Sequence, residues 1–259
     1  MSPGKSVRPG KRPREVNIQQ ARDLGHCVLT LIETSQLRQA YELLAPILHE
    51  RTPFRLLDSV GGALGAGPVA CVDLFLDEVA ANRTMGGWVV IGSALGQQLD
   101  GDLPGAIRHC YELVVAADAW YATDILGERV PGPALVDHFS RAEALIKPWR
   151  ADENRWVRRA VGVAVHFWVK RARGVPDLAQ EAQRLLSLLE PMLEEGDIDA
   201  IKGIGWGLKT LGKHYPDRVT EWLAHQLRQR GRRPRALMLR KATTYLSAAQ
   251  RARATGKIS

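Results

Sequence analysis

Trp120 and Asp124 stand four residues apart in the run Trp120-Tyr121-Ala122-Thr123-Asp124, so on a helix they project from one face and set an acid beside an aromatic ring. The same spacing is also what a helix cap or a solvated acid gives. Further on, Arg155, Arg159, His166 and Lys170 recur at i, i+4, i+11 and i+15. On a helical wheel they make a nearly straight basic ridge opposite the apolar stripe of Val157, Ala160, Val161, Ala164, Phe167 and Trp168. Such a ridge suits tracking the charges of a phosphate backbone, and a solvated helix face has the same pattern. A third group centres on Trp206. Ile198, Ile201, Ile204, Leu208 and Leu211 supply the core stripe of its helix, so Trp206 is predicted to face outward among Lys202, Lys209 and Lys213. Aromatic rings interleaved with cations suit contact with sugars and phosphates; the alternative is a tryptophan packed beneath a neighbouring helix.

The elements that must carry these residues are helices. Apolar residues recur at three- and four-residue spacing from Glu15 onward, interrupted by Pro, Gly or an Asp-led start signal. The pattern predicts helices near 15–34, 36–50, 53–64, 68–82, 86–99, 103–117, 119–127, 132–147, 152–172, 176–194, 197–213, 216–230 and 234–253, with no sheet. Many helices of similar length with short links imply antiparallel pairs stacked along the chain. The expectation is an all-α, HEAT-like helical repeat solenoid, an α-α superhelix with a concave DNA-binding face. Residues 15–253 are expected to form one repeat domain, preceded by a flexible basic arm over 1–14, rich in Pro and Gly, and followed by a tail over 254–259.

The chain has 259 residues, 45% of them hydrophobic and 25% charged, an ordinary globular composition. Its net charge of +8 is unevenly placed. Residues 1–14 carry five Lys or Arg, and everything after Glu221 carries ten with no acid. Subtracting these fifteen from +8 leaves −7 on residues 15–221, so a basic surface there must be local. Three widely spaced cysteines, Cys27, Cys71 and Cys110, form no CxxC pair, and the His26-Cys27 and His109-Cys110 neighbours face different ways on a helix. Neither disulfides nor a metal site is expected. The glycine-rich run Gly61–Gly67 lacks the Lys-Ser/Thr pair of a phosphate loop and reads as a helix end or close packing. No apolar run approaches membrane-spanning length and no export signal is seen, so the expected location is cytoplasmic and nucleoid-associated, without a membrane partner.

Four blocks in order, AWYATD at 119–124, ENRWVRRAV at 153–161, IKGIGWGLKTLGKHYPD at 201–217 and RALMLRKA at 235–242, resemble the DNA alkylation-repair glycosylases of the AlkD type. Those enzymes are stacks of HEAT-like repeats that remove alkylated bases. The resemblance covers roughly residues 110–246, and the order and spacing of the blocks carry it. It implies that Trp120, Asp124, Arg159 and Trp206 converge on the lesion. The departures are Ala119, where a second aromatic is common, Tyr121, where an acid is common, and an N-terminal third that does not align.

The resemblance further implies a monofunctional N-glycosylase acting on duplex DNA with alkylated bases, of the 3-methyladenine or 7-methylguanine type, as a monomer without cofactor. A cationic alkylpurine leaves as a neutral base, so no general acid is needed. Asp124 stabilises the oxocarbenium-like sugar and orients water, while Trp120 and Trp206 pack against the deoxyribose. Arg159 is expected to clamp a phosphate, with Arg155, Lys170, Lys202, Lys209, Lys213 and Arg240 as further DNA contacts. Recognition is expected from the backbone side, without a pocket for a flipped base. The alternative is a non-catalytic HEAT-like protein that binds structured or branched nucleic acid. A protein-binding scaffold explains the solenoid but not Trp206 among its lysines.

Overall fold

The structure, a computed structural model, describes residues 17–256. The arm expected over 1–14 lies outside the described residues. Every regular element among those described is helical: α1 (Ile18–Glu33), α2 (Leu37–His49), α3 (Phe54–Leu64), α4 (Val69–Ala81), α5 (Met85–Gln98), α6 (Leu103–Ala117), α7 (Trp120–Arg129), α8 (Pro131–Asp137), α9 (Phe139–Ile146), α10 (Arg155–Ala172), α11 (Ala179–Leu189), α12 (Ile198–His214), α13 (Pro216–Arg228), α14 (Ala236–Ala242) and α15 (Ala248–Thr255). Short 3-10 turns at Lys147–Ala151, Pro176–Leu178 and Glu190–Met192 join some of them.

The helices form two rows of an all-α repeat solenoid. In one row α1, α3, α5, α7, α10, α12 and α14 each pack on the next. The other row holds α2, α4, α6, α9, α11, α13 and α15. Between the rows runs one continuous core that includes Val28, Leu44, Leu64, Phe75, Ile91, Leu126 and Leu211. Stacking is what permits this, because no single helix pair can bury its own apolar stripe.

Side-chain caps set several starts. Thr84 accepts from the Gly87 amide at 3.0 Å, Asn154 from Trp156 at 2.8 Å, and Asp197 from Asp199 and Ala200 at 2.8 and 3.1 Å. Two expected helices are broken. The span 132–147 divides at His138, where no Gly or Pro stands, and Phe139 turns in to meet the Trp168 ring at 5.8 Å. The span 234–253 divides after Ala242, and α15 restarts with a reciprocal box in which Ser247 accepts from the Gln250 amide and Gln250 from the Ser247 amide. Likewise 176–194 is α11 flanked by two 3-10 turns, each holding a proline.

Glycines let the helices of the first row approach closely. A Cβ on Gly203 of α12 would meet the Arg159 carbonyl oxygen of α10 at 2.6 Å, and one on Gly207 the Gly162 carbonyl oxygen at 2.7 Å. Gly61 and Gly65 face the α5 backbone in the same way, which is the close-packing reading of the Gly61–Gly67 run. The α10–α12 crossing is therefore backbone on backbone, and it sets where the side chains beside it meet.

Candidate active site

Asp124 lies one turn into α7, held by a start with no side-chain cap. The preceding Asp118 is left-handed (φ 41°) and its carboxylate accepts from the Trp156 indole and from Arg155. Thr123, fully buried, bonds back to the Ala119 carbonyl at 3.0 Å and fixes the turn. This leaves Asp124 directed at α10, where Arg159 meets it with both arms of its fork. Nε donates to Oδ1 and Nη2 to Oδ2, each at 2.7 Å. Nη1 of the same guanidinium donates to the Asp199 carbonyl of α12 at 2.8 Å. The Arg159 side chain is 7% exposed and that of Asp124 18%, so the carboxylate keeps the access to solvent. A bidentate pair of this kind fixes carboxylate orientation as well as adding attraction.

Seven residues further along α10 and α12, and four along α7, a second set repeats the first. His166 stacks on Trp206, ring centroids 3.8 Å apart and planes at 24°, and its Nε2 lies 3.7 Å from Glu128 Oε1. Three helices thus carry two parallel rungs: Asp124, Arg159 and Asp199, then Glu128, His166 and Trp206. Burial raises the Glu128 pKa, with Asp124 adding to it and Lys170, Arg129 and Arg171 opposing. Burial, then Lys170 and Lys209, lowers that of His166 to about 4.

Trp120 stands at the open edge, 56% exposed, its ring edge-on to Tyr121 at 6.0 Å. Beyond Trp206, Lys209 and Lys213 lie over the Tyr245 ring at 5.3 and 5.7 Å. Lys209, Leu237, Arg240, Lys241 and Arg251 are among the residues around a cavity of about 520 Å³. Burial first, and then the neighbouring Lys209, Arg159, Arg240 and Lys202, depress the Lys241 pKa. Lys241 and Tyr245 were not singled out from the sequence. Lys241 has a signal there only in retrospect, since Gly205, one residue before Trp206, makes room for its side chain.

A family described as DNA alkylation repair enzyme matches residues 91–246, more than half of the chain and all of both rungs. The chain belongs to that family. Comparison with curated proteins and with solved structures gives no match. Within this DNA alkylation repair enzyme, the structure brings Asp124, Arg159 and Trp206 onto three adjoining helices and leaves Trp120 at the rim of the same face. The expected basic ridge is corrected. Arg155 and Lys170 are exposed, but Arg159 and His166 are both 6% exposed, because α7 and α12 flank α10 and cover the sides of the strip that the wheel left open. Arg159 accordingly spends three N–H groups on Asp124 and Asp199 rather than standing free for a phosphate. Trp206 is half-buried rather than outward among its lysines, Lys202 pairs with Asp199 at 2.9 Å, and Ile198, expected in the core, is exposed. Among the described residues no group of three or more His, Cys, Asp or Glu is arranged to hold a metal ion, and no helix is long and apolar enough to cross a membrane.

Proposed function

We propose that this repair enzyme is a DNA glycosylase of HEAT-like repeats that hydrolyses the N-glycosidic bond of cationic alkylated purines in duplex DNA, as a monomer and without a cofactor. One observation carries the reading: a partly exposed carboxylate, Asp124, locked by a bidentate arginine at the crossing of three helices. An alkylpurinium departs as a neutral base, so the chain must supply charge stabilisation and a placed water rather than a proton. Arg159 occupies one lone pair on each Asp124 oxygen and leaves the others to a water and to the developing sugar cation. Trp120 and Trp206 flank the sugar. Arg159 acts through Asp124, and the phosphate contacts pass to Arg155, Lys170, Lys202, Lys209, Lys213 and Arg240.

Release of free methylated base from N-methylated duplex DNA tests the reading. Asp124→Asn is expected to slow release on the order of 10²- to 10³-fold while binding of undamaged duplex persists. Because removing one partner of a buried pair destabilises a fold, Asp124→Asn combined with Arg159→Gln serves as the folded control. Undiminished release by either variant sinks the mechanism. The second reading, a non-catalytic binder of branched or structured nucleic acid, draws on the same pair: Asp124 and Arg159 together carry no net charge. A wild-type protein that binds DNA but releases no base selects it.

A further inference from the structure

The second rung contains a histidine with few polar neighbours, Thr210 at one ring nitrogen and Glu128 near the other. Thr210 Oγ1 donates its one proton to the Trp206 carbonyl at 2.9 Å. A hydroxyl so engaged accepts from His166 Nδ1, 2.7 Å away, and this arrangement puts the ring proton on Nδ1. Nε2, buried and without a hydrogen-bond partner, faces Glu128 at 3.7 Å and in this tautomer carries the lone pair. The ring so held lies flat on Trp206. We propose that His166 is the positioning residue for Trp206: Thr210 fixes its tautomer, and the imidazole acts as an uncharged plate that sets the indole against the sugar. This rests on the glycosylase reading.

Neutrality matters as much as shape. A half-exposed indole on a helix has several rotamers, and a ring stacked on one face favours the one that keeps the stack. An imidazolium in that place would repel the cationic sugar of the transition state and weaken the pull of the indole face on it. Three titratable groups lie near the ring: Glu128 from α7, Lys170 from its own helix, and Lys209 from α12. Of these, Lys170 and Lys209 act with burial to keep the ring uncharged at neutral pH.

Two measurements on the intact protein test this, and they fail separately. Long-range ¹H–¹⁵N NMR of the free protein at neutral pH is expected to give His166 one protonated nitrogen, Nδ1, and one bare nitrogen, Nε2, with the signal assigned by its loss in His166→Phe. An Nε2–H tautomer or an imidazolium overturns the proposal whether or not the protein releases base. In single-turnover base release, His166→Ala is expected to be slowed on the order of tenfold with affinity for undamaged duplex unchanged, since small misplacements of a contact group act on the chemical step. His166→Phe keeps the plate and is expected to recover most of the rate. Full activity in the alanine variant, or a phenylalanine variant no faster than alanine, overturns the proposal. If the wild-type protein releases no base, the glycosylase reading falls and the catalytic use of the stack falls with it, while the NMR result still reports the ring geometry.

Discussion

Asp124, on α7 in the first rung, and His166, on α10 in the second, are held by opposite physics. Asp124 is ionic and held by a charge-assisted fork, whereas His166 is held uncharged. The second case makes stability depend on pH. An unfolded histidine titrates near 6.5, and His166 in the fold at about 4. Above the unfolded value both states are neutral and the packing of His166 contributes in full. As pH falls the unfolded chain binds the proton first, so stability declines through the unfolded value and is lost by the folded one. The loss is on the order of 3 kcal/mol, because every tenfold difference in proton affinity between the two states is worth about 1.4 kcal/mol. Melting temperature measured from neutral pH down to about 4 is therefore expected to fall more steeply in the wild-type protein than in His166→Phe, which has no group to titrate there. Parallel curves would mean that His166 is charged or free in the fold.

At the scale of the helix, the first row places the site through glycine. Gly203 sits beneath Arg159, so Gly203→Ala drives a Cβ into the Arg159 backbone and side chain. Alanine gains about 1 kcal/mol in helix propensity, while overpacking against backbone costs about 1–3 kcal/mol. The expected result is a lower urea midpoint together with slower base release, because the displaced Arg159 loosens Asp124. Gly62→Ala on α3 is the opposite case: nothing lies within 4 Å of the added Cβ, so propensity alone acts and the midpoint is expected to rise. A stabilised Gly203→Ala protein would show that α10 and α12 are further apart than this. Much of this level was legible beforehand. The 3.6-residue period found the stripe of Val157, Ala160, Val161, Ala164 and Trp168, all buried, with Phe167 of the same expected stripe only partly so, and the order of blocks pointed to Trp120, Asp124, Arg159 and Trp206, which lie on three adjoining helices. The Ser247–Gln250 box was also readable from its i, i+3 spacing, whereas the break at His138 has no local signal and follows from tertiary packing. The wheel misplaced Arg159 and His166 for a definite reason. It knows one buried face per helix, but a helix inside a row has neighbours on both flanks, and only a narrow strip between them meets solvent.

Across the whole molecule, charge is concentrated by position rather than by sum. Residues 15–221 carry −7 within a chain of +8, so a polyanion docking on the first row meets its strongest attraction toward the C-terminal end. There Lys209, Arg240, Lys241 and Arg251 surround one cavity with no acid among its lining residues. Neutralising phosphates releases counterions, and each such contact adds about 0.9 to the slope of log affinity against log salt. The triple variant Lys209→Ala, Arg240→Ala, Lys241→Ala is expected to bind undamaged duplex more weakly and to lower that slope by about 2 to 3. Fluorescence anisotropy over a series of salt concentrations reads both. A control at Arg38, which is exposed on α2 and pairs with Glu42 at 2.9 Å, is expected to leave the slope unchanged. A triple variant whose slope matches the wild-type protein would place the phosphate contacts elsewhere, on Arg155 and Lys170 beside the two rungs, and would make the C-terminal cavity a bystander to DNA binding.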